Sequence, residues 1–172
     1  MRIVLGLLCI FWMTGCQSQP NRVPVPSEVL RQGNTTLEIY TFDEFKHWMS
    51  KHDDTLYVIN FWATWCRPCV EELPYFEQLD DSLANKPAKL MLVSLDSRKK
   101  AETELIPFIQ RKQLKSNVIH LNAPDFNNWL DQVSSDWSGS IPATLMVKNG
   151  QKTFFEQSFE FEPLWYQVKS KL

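Results

Sequence analysis

Cys66-Arg67-Pro68-Cys69 is the segment of this 172-residue chain whose residue types and spacing are fitted for chemistry. Two intervening residues bring the two sulfurs within disulfide reach, and the pair stands where an apolar run ends and a helical pattern begins. That context puts Cys66 at a helix N-terminus, where unpaired amides and the helix dipole favour an anion, so Cys66 is expected to be the more acidic thiol. The thiolate is the attacking species in disulfide exchange. A pKa drawn towards ambient pH therefore raises the reactive fraction without forfeiting all of its nucleophilicity. Arg67 adds a positive charge beside it. Pro68 falls in the first helical turn, where no intrahelical donor is needed, and restricts the dipeptide that sets the redox balance of the pair.

The elements that must position this pair are legible around it. Leu56 to Ala63 is apolar on both alternating faces, as expected of a strand buried in mid-sheet with helices on either side. A helical pattern follows from about Arg67 to Ala84, with Pro74 expected to kink it. Upstream, Leu37 to Tyr40 reads as a strand, and Thr41-Phe42-Asp43-Glu44 resembles a capping box opening a helix to about Lys51. Downstream come a buried strand at Lys89 to Leu95, a helix at Ala101 to Lys112 that Pro107 should kink or break, a short strand at Val118 to Leu121 and a helix at Asp125 to Val133. Ser138-Gly139-Ser140 is expected to loosen the chain before Ile141-Pro142. A hairpin then joins Ala143 to Lys148 and Lys152 to Phe159 through Asn149-Gly150, and a helix from Pro163 to Leu172 closes the chain. Strand-helix alternation first and a hairpin last predicts an α/β sandwich, its mixed central sheet flanked by helices on both faces.

Composition narrows the function classes. The 18 Lys and Arg nearly balance the 20 Asp and Glu, with no basic block, so nucleic acid is not an expected partner. Met1-Arg2 followed by the apolar run Ile3 to Met13 reads as a signal-peptide core, too short to span a bilayer comfortably. Met13-Thr14-Gly15-Cys16 resembles a bacterial lipobox, with Met13 where Leu is usual. Residues 1–15 are thus expected to be a lipoprotein signal peptide, and Cys16 the lipidated mature N-terminus that anchors the chain to a membrane. A secretory leader or membrane anchor in which Cys16 is incidental is the other reading, and either exports the rest. Gln17 to Gly33, with Pro20, Pro24 and Pro26, suits a flexible tether over 16–34 ahead of a domain at 35–172.

The run from Phe61 to Pro74, Phe-Trp-Ala-Thr-Trp-Cys-Arg-Pro-Cys-Val-Glu-Glu-Leu-Pro, resembles the active-site segment of thioredoxin-fold proteins, in particular the TlpA/ResA-like envelope branch. The resemblance continues in order from about Thr36 to the C-terminus. It implies a thioredoxin-like three-layer sandwich that exchanges disulfides with protein substrates without a cofactor, as a reductase supplied by a membrane electron donor. By the same resemblance Cys66 attacks, Cys69 resolves the mixed intermediate, Ile141-Pro142 is a cis bond beside the pair, and Trp65 with the backbone at Ile141 forms a substrate platform. Thioredoxin's buried aspartate is replaced here by Asn60, which cannot titrate. Glu72, three residues after Cys69, is the position that matches a functional glutamate of ResA-like members and is expected to take the Cys69 proton. The location implied is the bacterial cell envelope, facing the periplasm or extracytoplasmic space. Gln17 and Ser18 lack the aspartate that holds many lipoproteins in the inner membrane, which favours the outer one.

Other readings stand beside these. Trp65 and Asn60 would also serve as core residues, and Glu71 and Glu72 as solvated helix charges. No zinc site is expected, because His47, His52 and His120 show no ligand spacing and there is no second cysteine pair. Peroxiredoxins share the broad fold, but their nucleophile lies in a Pro-x-x-x-Thr/Ser-x-x-Cys context, whereas Ile59 and Ala63 hold those places before Cys66. An envelope binding lipoprotein with a purely structural disulfide is the non-enzymatic alternative.

Overall fold

A computed structural model of the chain describes residues 24–172. The signal peptide and the lipidated Cys16 expected from the sequence lie outside the described residues. Seven strands, β1 (Glu28–Gln32), β2 (Thr35–Tyr40), β3 (Leu56–Trp62), β4 (Ala88–Ser94), β5 (Val118–Leu121), β6 (Ala143–Lys148) and β7 (Gln151–Phe155), form one sheet in the order β1-β2-β5-β4-β3-β6-β7. The inner strands β2, β5, β4 and β3 are parallel, while β1, β6 and β7 run antiparallel to their neighbours. The helices are α1 (Phe42–Met49), α2 (Arg67–Ser82), α3 (Ile106–Lys112), α4 (Phe126–Val133) and α5 (Phe161–Lys169).

Strand alternation sorts the core into two layers. Leu56, Val58 and Trp62 of β3 pack with Leu73, Phe76 and Leu79 of α2, Ile106 of α3 and Leu164 of α5. Tyr57, Ile59 and Phe61 of the same strand pack with Phe45 and Trp48 of α1 and Trp129 of α4. The result is the expected three-layer sandwich with helices on both faces. At the start of α1 the capping box is formed: Glu44 N donates to Thr41 Oγ1 at 3.4 Å, and Thr41 N donates to Glu44 Oε2 at 2.7 Å. Among the described residues no helix is long and apolar enough to cross a membrane.

The structure departs from the sequence reading at both ends of the domain. The tether expected over 16–34 does not reach that far, because Glu28–Gln32 is a strand paired antiparallel with β2 through a turn at Gly33, whose φ is +58°. Only Leu30 of β1 packs on the core, so the strand lacks the alternation that would have revealed it. Between the two ends, α2 continues through Pro74, which lies inside it. The helix expected from Ala101 is interrupted near Pro107, as the sequence suggested: a π-helical turn at Ala101–Leu105 gives way to α3, with Pro107 in the first turn of α3. At the C-terminal end, β7 stops at Phe155 and α5 starts at Phe161, which leaves Phe159 buried in the link between them.

Candidate active site

β3 delivers the chain to the site and α2 receives it. Beyond Trp62 the backbone turns, Cys66 N donating to Ala63 O at 3.1 Å, and Cys66 becomes the N-cap of α2 in extended conformation. Its Sγ accepts from Cys69 N at 3.3 Å, in the place where a capping oxygen usually stands. The two cysteines form a disulfide. Cys66 keeps 6% of its surface exposed and Cys69 none, so only the first sulfur can be approached from outside. Pro68 falls in the first turn as expected. Arg67 is exposed and pairs with Glu71 at 2.8 Å, so its charge is shared on the solvent side of the helix.

Ile141-Pro142 is a cis peptide, and Ile141 O lies 3.6 Å from Cys66 Sγ. Pro142 is buried immediately ahead of β6, next in the chain to the Ile141 carbonyl that faces Cys66. Trp65 is not a core residue: it is 67% exposed. Its ring shares with Leu95, Phe126, Gly139 and Ile141 the lining of a cavity of about 230 Å³ beside the pair.

Glu72 is not a solvated helix charge either. It retains 2% exposure, its Oε1 accepting from Asn60 Nδ2 at 2.9 Å and its Oε2 from Phe159 N at 2.8 Å. Asn60 occurs at a β3 position that points to the α2 layer, opposite Thr144 of β6, and its Nδ2 also lies 3.3 Å from Thr144 Oγ1. Burial pushes the Glu72 carboxyl up to about 7, against the downward pull of the Phe159 amide and the Asn60 side chain. The site thus joins a disulfide at a helix N-terminus to a buried carboxyl that titrates near neutrality, three residues along the same helix.

One residue that sequence reasoning missed completes the frame. Asp96, 3% exposed just beyond β4, accepts from Thr64 Oγ1 at 2.6 Å, from Thr64 N at 3.1 Å and from Ser94 Oγ at 2.9 Å. It fastens the turn that carries Trp65 and Cys66 to the neighbouring strand. The only signal available in sequence was a polar Ser94-Leu95-Asp96 step at the end of an apolar strand. His120, wholly buried, lies opposite Ser94 on β5, and burial lowers its pKa.

Comparison with known proteins agrees with this geometry. The chain is 35% identical over 97 residues to the thiol-disulfide oxidoreductase ResA of Oceanobacillus iheyensis, a match covering 55% of this chain and 45% of that protein. It is 41% identical over 62 residues to the thioredoxin-like protein YneN of Bacillus subtilis, 36% of each chain. These matches span about half or less of the relatives' length. Among solved structures, a thiol:disulfide interchange protein of the thioredoxin family from Chlorobium tepidum covers 87% of this chain and 95% of its own, with a TM-score of 0.58 and 14% identity, which shows the fold. The model of the AhpC/TSA family matches residues 36–152, well over half of the chain, and the protein therefore belongs to the AhpC/TSA family.

Proposed function

We propose that this protein is a thiol-disulfide oxidoreductase that reduces disulfides of envelope proteins through Cys66 and Cys69. The observation that carries the reading is the Cys66–Cys69 disulfide at the N-terminus of α2, with its one accessible sulfur 3.6 Å from the Ile141 carbonyl. In the reduced protein the Cys66 thiolate attacks a client disulfide, forming a mixed disulfide and releasing one client thiolate, which takes a proton. Cys69, deprotonated by Glu72 directly or through water, then attacks the Cys66 sulfur, and the second client thiol leaves. Two electrons have passed to the client and the Cys66–Cys69 disulfide remains. No cofactor enters, since the electrons reside on the sulfurs. A membrane electron donor reduces the pair for the next cycle.

In this scheme Trp65 and the backbone of Ile141 hold an extended client segment, Pro142 shapes that edge, and Arg67 and Pro68 tune the redox balance. The leader directs export and is removed, and the lipidated Cys16 then anchors the protein to the bacterial envelope, facing the periplasm or extracytoplasmic space, with the outer membrane favoured. Cys16→Ala should leave exchange intact while moving the protein from the membrane to the soluble fraction, and persistent membrane binding would count against the anchor. Thiol peroxidase chemistry fits the site less well. Ile59 and Ala63, at the places where peroxiredoxins carry Pro and Thr or Ser, are buried apolar residues with no hydroxyl to hold a peroxide.

The reduction potential of the pair tests the proposal, measured by equilibrating residues 17–172 against glutathione or dithiothreitol buffers. A value near about −270 mV fits a reductase supplied with electrons, and one near about −120 mV an oxidase. A pair that cannot be reduced without unfolding the domain would instead identify a structural disulfide in a binding protein.

A further inference from the structure

The loop that enters the cis peptide is pinned rather than loosened. Glu156, the first residue beyond β7, is half-buried and gathers three donors from the loop: Ser138 N at 3.0 Å and Ser140 N at 2.9 Å, and Ser138 Oγ in a short hydrogen bond. Trp137 Nε1 closes the same loop from the other side by donating to Ser140 O at 2.8 Å. Between the serines, Gly139 takes a φ of +99°, and a Cβ there would come within 3.1 Å of Phe126. Every backbone group from Ser138 to Ser140 named here is thus directed by a partner outside the loop. The next residue is Ile141, whose carbonyl faces Cys66 and whose side chain lines the cavity beside Trp65.

We propose that Glu156 is a positioning residue for client binding, its carboxylate holding the Ser138–Ser140 loop so that the Ile141 backbone presents a fixed edge to the client segment. This inference rests on the exchange function proposed above and adds to it a residue far from the cysteines in sequence. Glu156 touches neither sulfur, so it acts on how the client is held and not on the electron transfer itself. Hydrogen bonds to an ionised acceptor are about twice as strong as neutral ones, and a displacement of about 1 Å in a positioning element is enough to affect turnover markedly. Glutamine in its place keeps the length but loses the charge, and its amide nitrogen would confront a donor.

The test uses the full chain in detergent, with insulin as a protein disulfide, dithiothreitol as reductant and dithiobis-nitrobenzoate as a small disulfide that needs no loop edge. Glu156→Gln is expected to raise the KM for insulin about tenfold, the scale of one lost charge-assisted hydrogen bond, with kcat and the rate of the small disulfide nearly unchanged. Ser138→Ala, a milder lesion that removes one of the three donors to the carboxylate and leaves both amide bonds in place, should raise KM about threefold, and it decides the matter by the same split if Glu156→Gln does not fold. An unchanged KM in both variants overturns the proposal. So does a parallel fall of the insulin and small-disulfide rates with the melting temperature, which would make Glu156 a fold-holding residue only. If the unaltered protein neither reacts with the small disulfide at Cys66 nor reduces insulin, the exchange function itself fails and this inference falls with it.

Discussion

A Cys66→Ser variant should lose disulfide exchange down to background, while Cys69→Ser should accumulate mixed disulfides with its clients. The asymmetry follows from accessibility and position. Cys66 caps α2 and keeps a little exposure, so its thiolate is both stabilised and reachable, whereas Cys69 is fully enclosed and can meet only a sulfur already bonded to Cys66. Without Cys69 the mixed disulfide has no internal route of escape and persists until an external thiol arrives. Non-reducing electrophoresis and mass spectrometry of the captured species would read the trap. Retained activity in Cys66→Ser would sink the mechanism. Loss of folding in both variants, with no trapped species, would favour the structural-disulfide reading.

The second large effect concerns Glu72. Its carboxyl titrates near pH 7 in the folded protein, with a pKa of about 7 against an ordinary value of 4.5. Between those two values the folded state holds a proton that the unfolded state has released, so stability must fall as pH rises through this window and level off above it. At roughly 1.4 kcal/mol for each pH unit separating the two values, the loss comes to about 3 kcal/mol. Urea unfolding of the oxidised protein between pH 4 and 8 should show that slope, and Glu72→Gln should flatten it. The same titration gates the resolving step, because a protonated Glu72 cannot accept the Cys69 proton. Turnover should therefore rise through pH 7 and then flatten. In Glu72→Gln the inflection should vanish and the rate above pH 7 should drop about hundredfold, the lower range for a positioned base. A pH profile identical in the two proteins from pH 5 to 9 would remove Glu72 from the chemistry.

The parts of the site that were legible in sequence are those whose evidence is local. The cysteine pair, the two-sided apolar strand before it and the helix after it are neighbours in the chain, and their order alone places Cys66 at a helix start. The cis bond at Ile141 was legible only through family resemblance. What stayed hidden depends on long-range register. Glu72 meets Phe159 across 87 positions and Asn60 meets Thr144 across 84, and no spacing rule predicts that these share one buried layer. Asp96 and Glu156 were invisible for the same reason: each is an ordinary acidic residue after a strand until the sheet brings a loop against it. The serine-glycine composition of residues 138–140 pointed the wrong way, since small polar residues also suit a backbone that is tightly held by a distant carboxylate.

β1 carries a consequence for solubility. β2 is built as an interior strand, with Leu37 and Ile39 buried and its other side paired to β5. Glu28–Gln32 occupies the side of β2 that would otherwise be open, and most of its side chains face solvent, with Glu28 joined to Arg98 and Arg31 to Thr36. A chain trimmed to begin at Thr35 would bare a row of unpaired amides and carbonyls next to apolar side chains, a template on which a second copy could add its own strand. The short polar ribbon ahead of the fold is thus a guard against edge-to-edge aggregation.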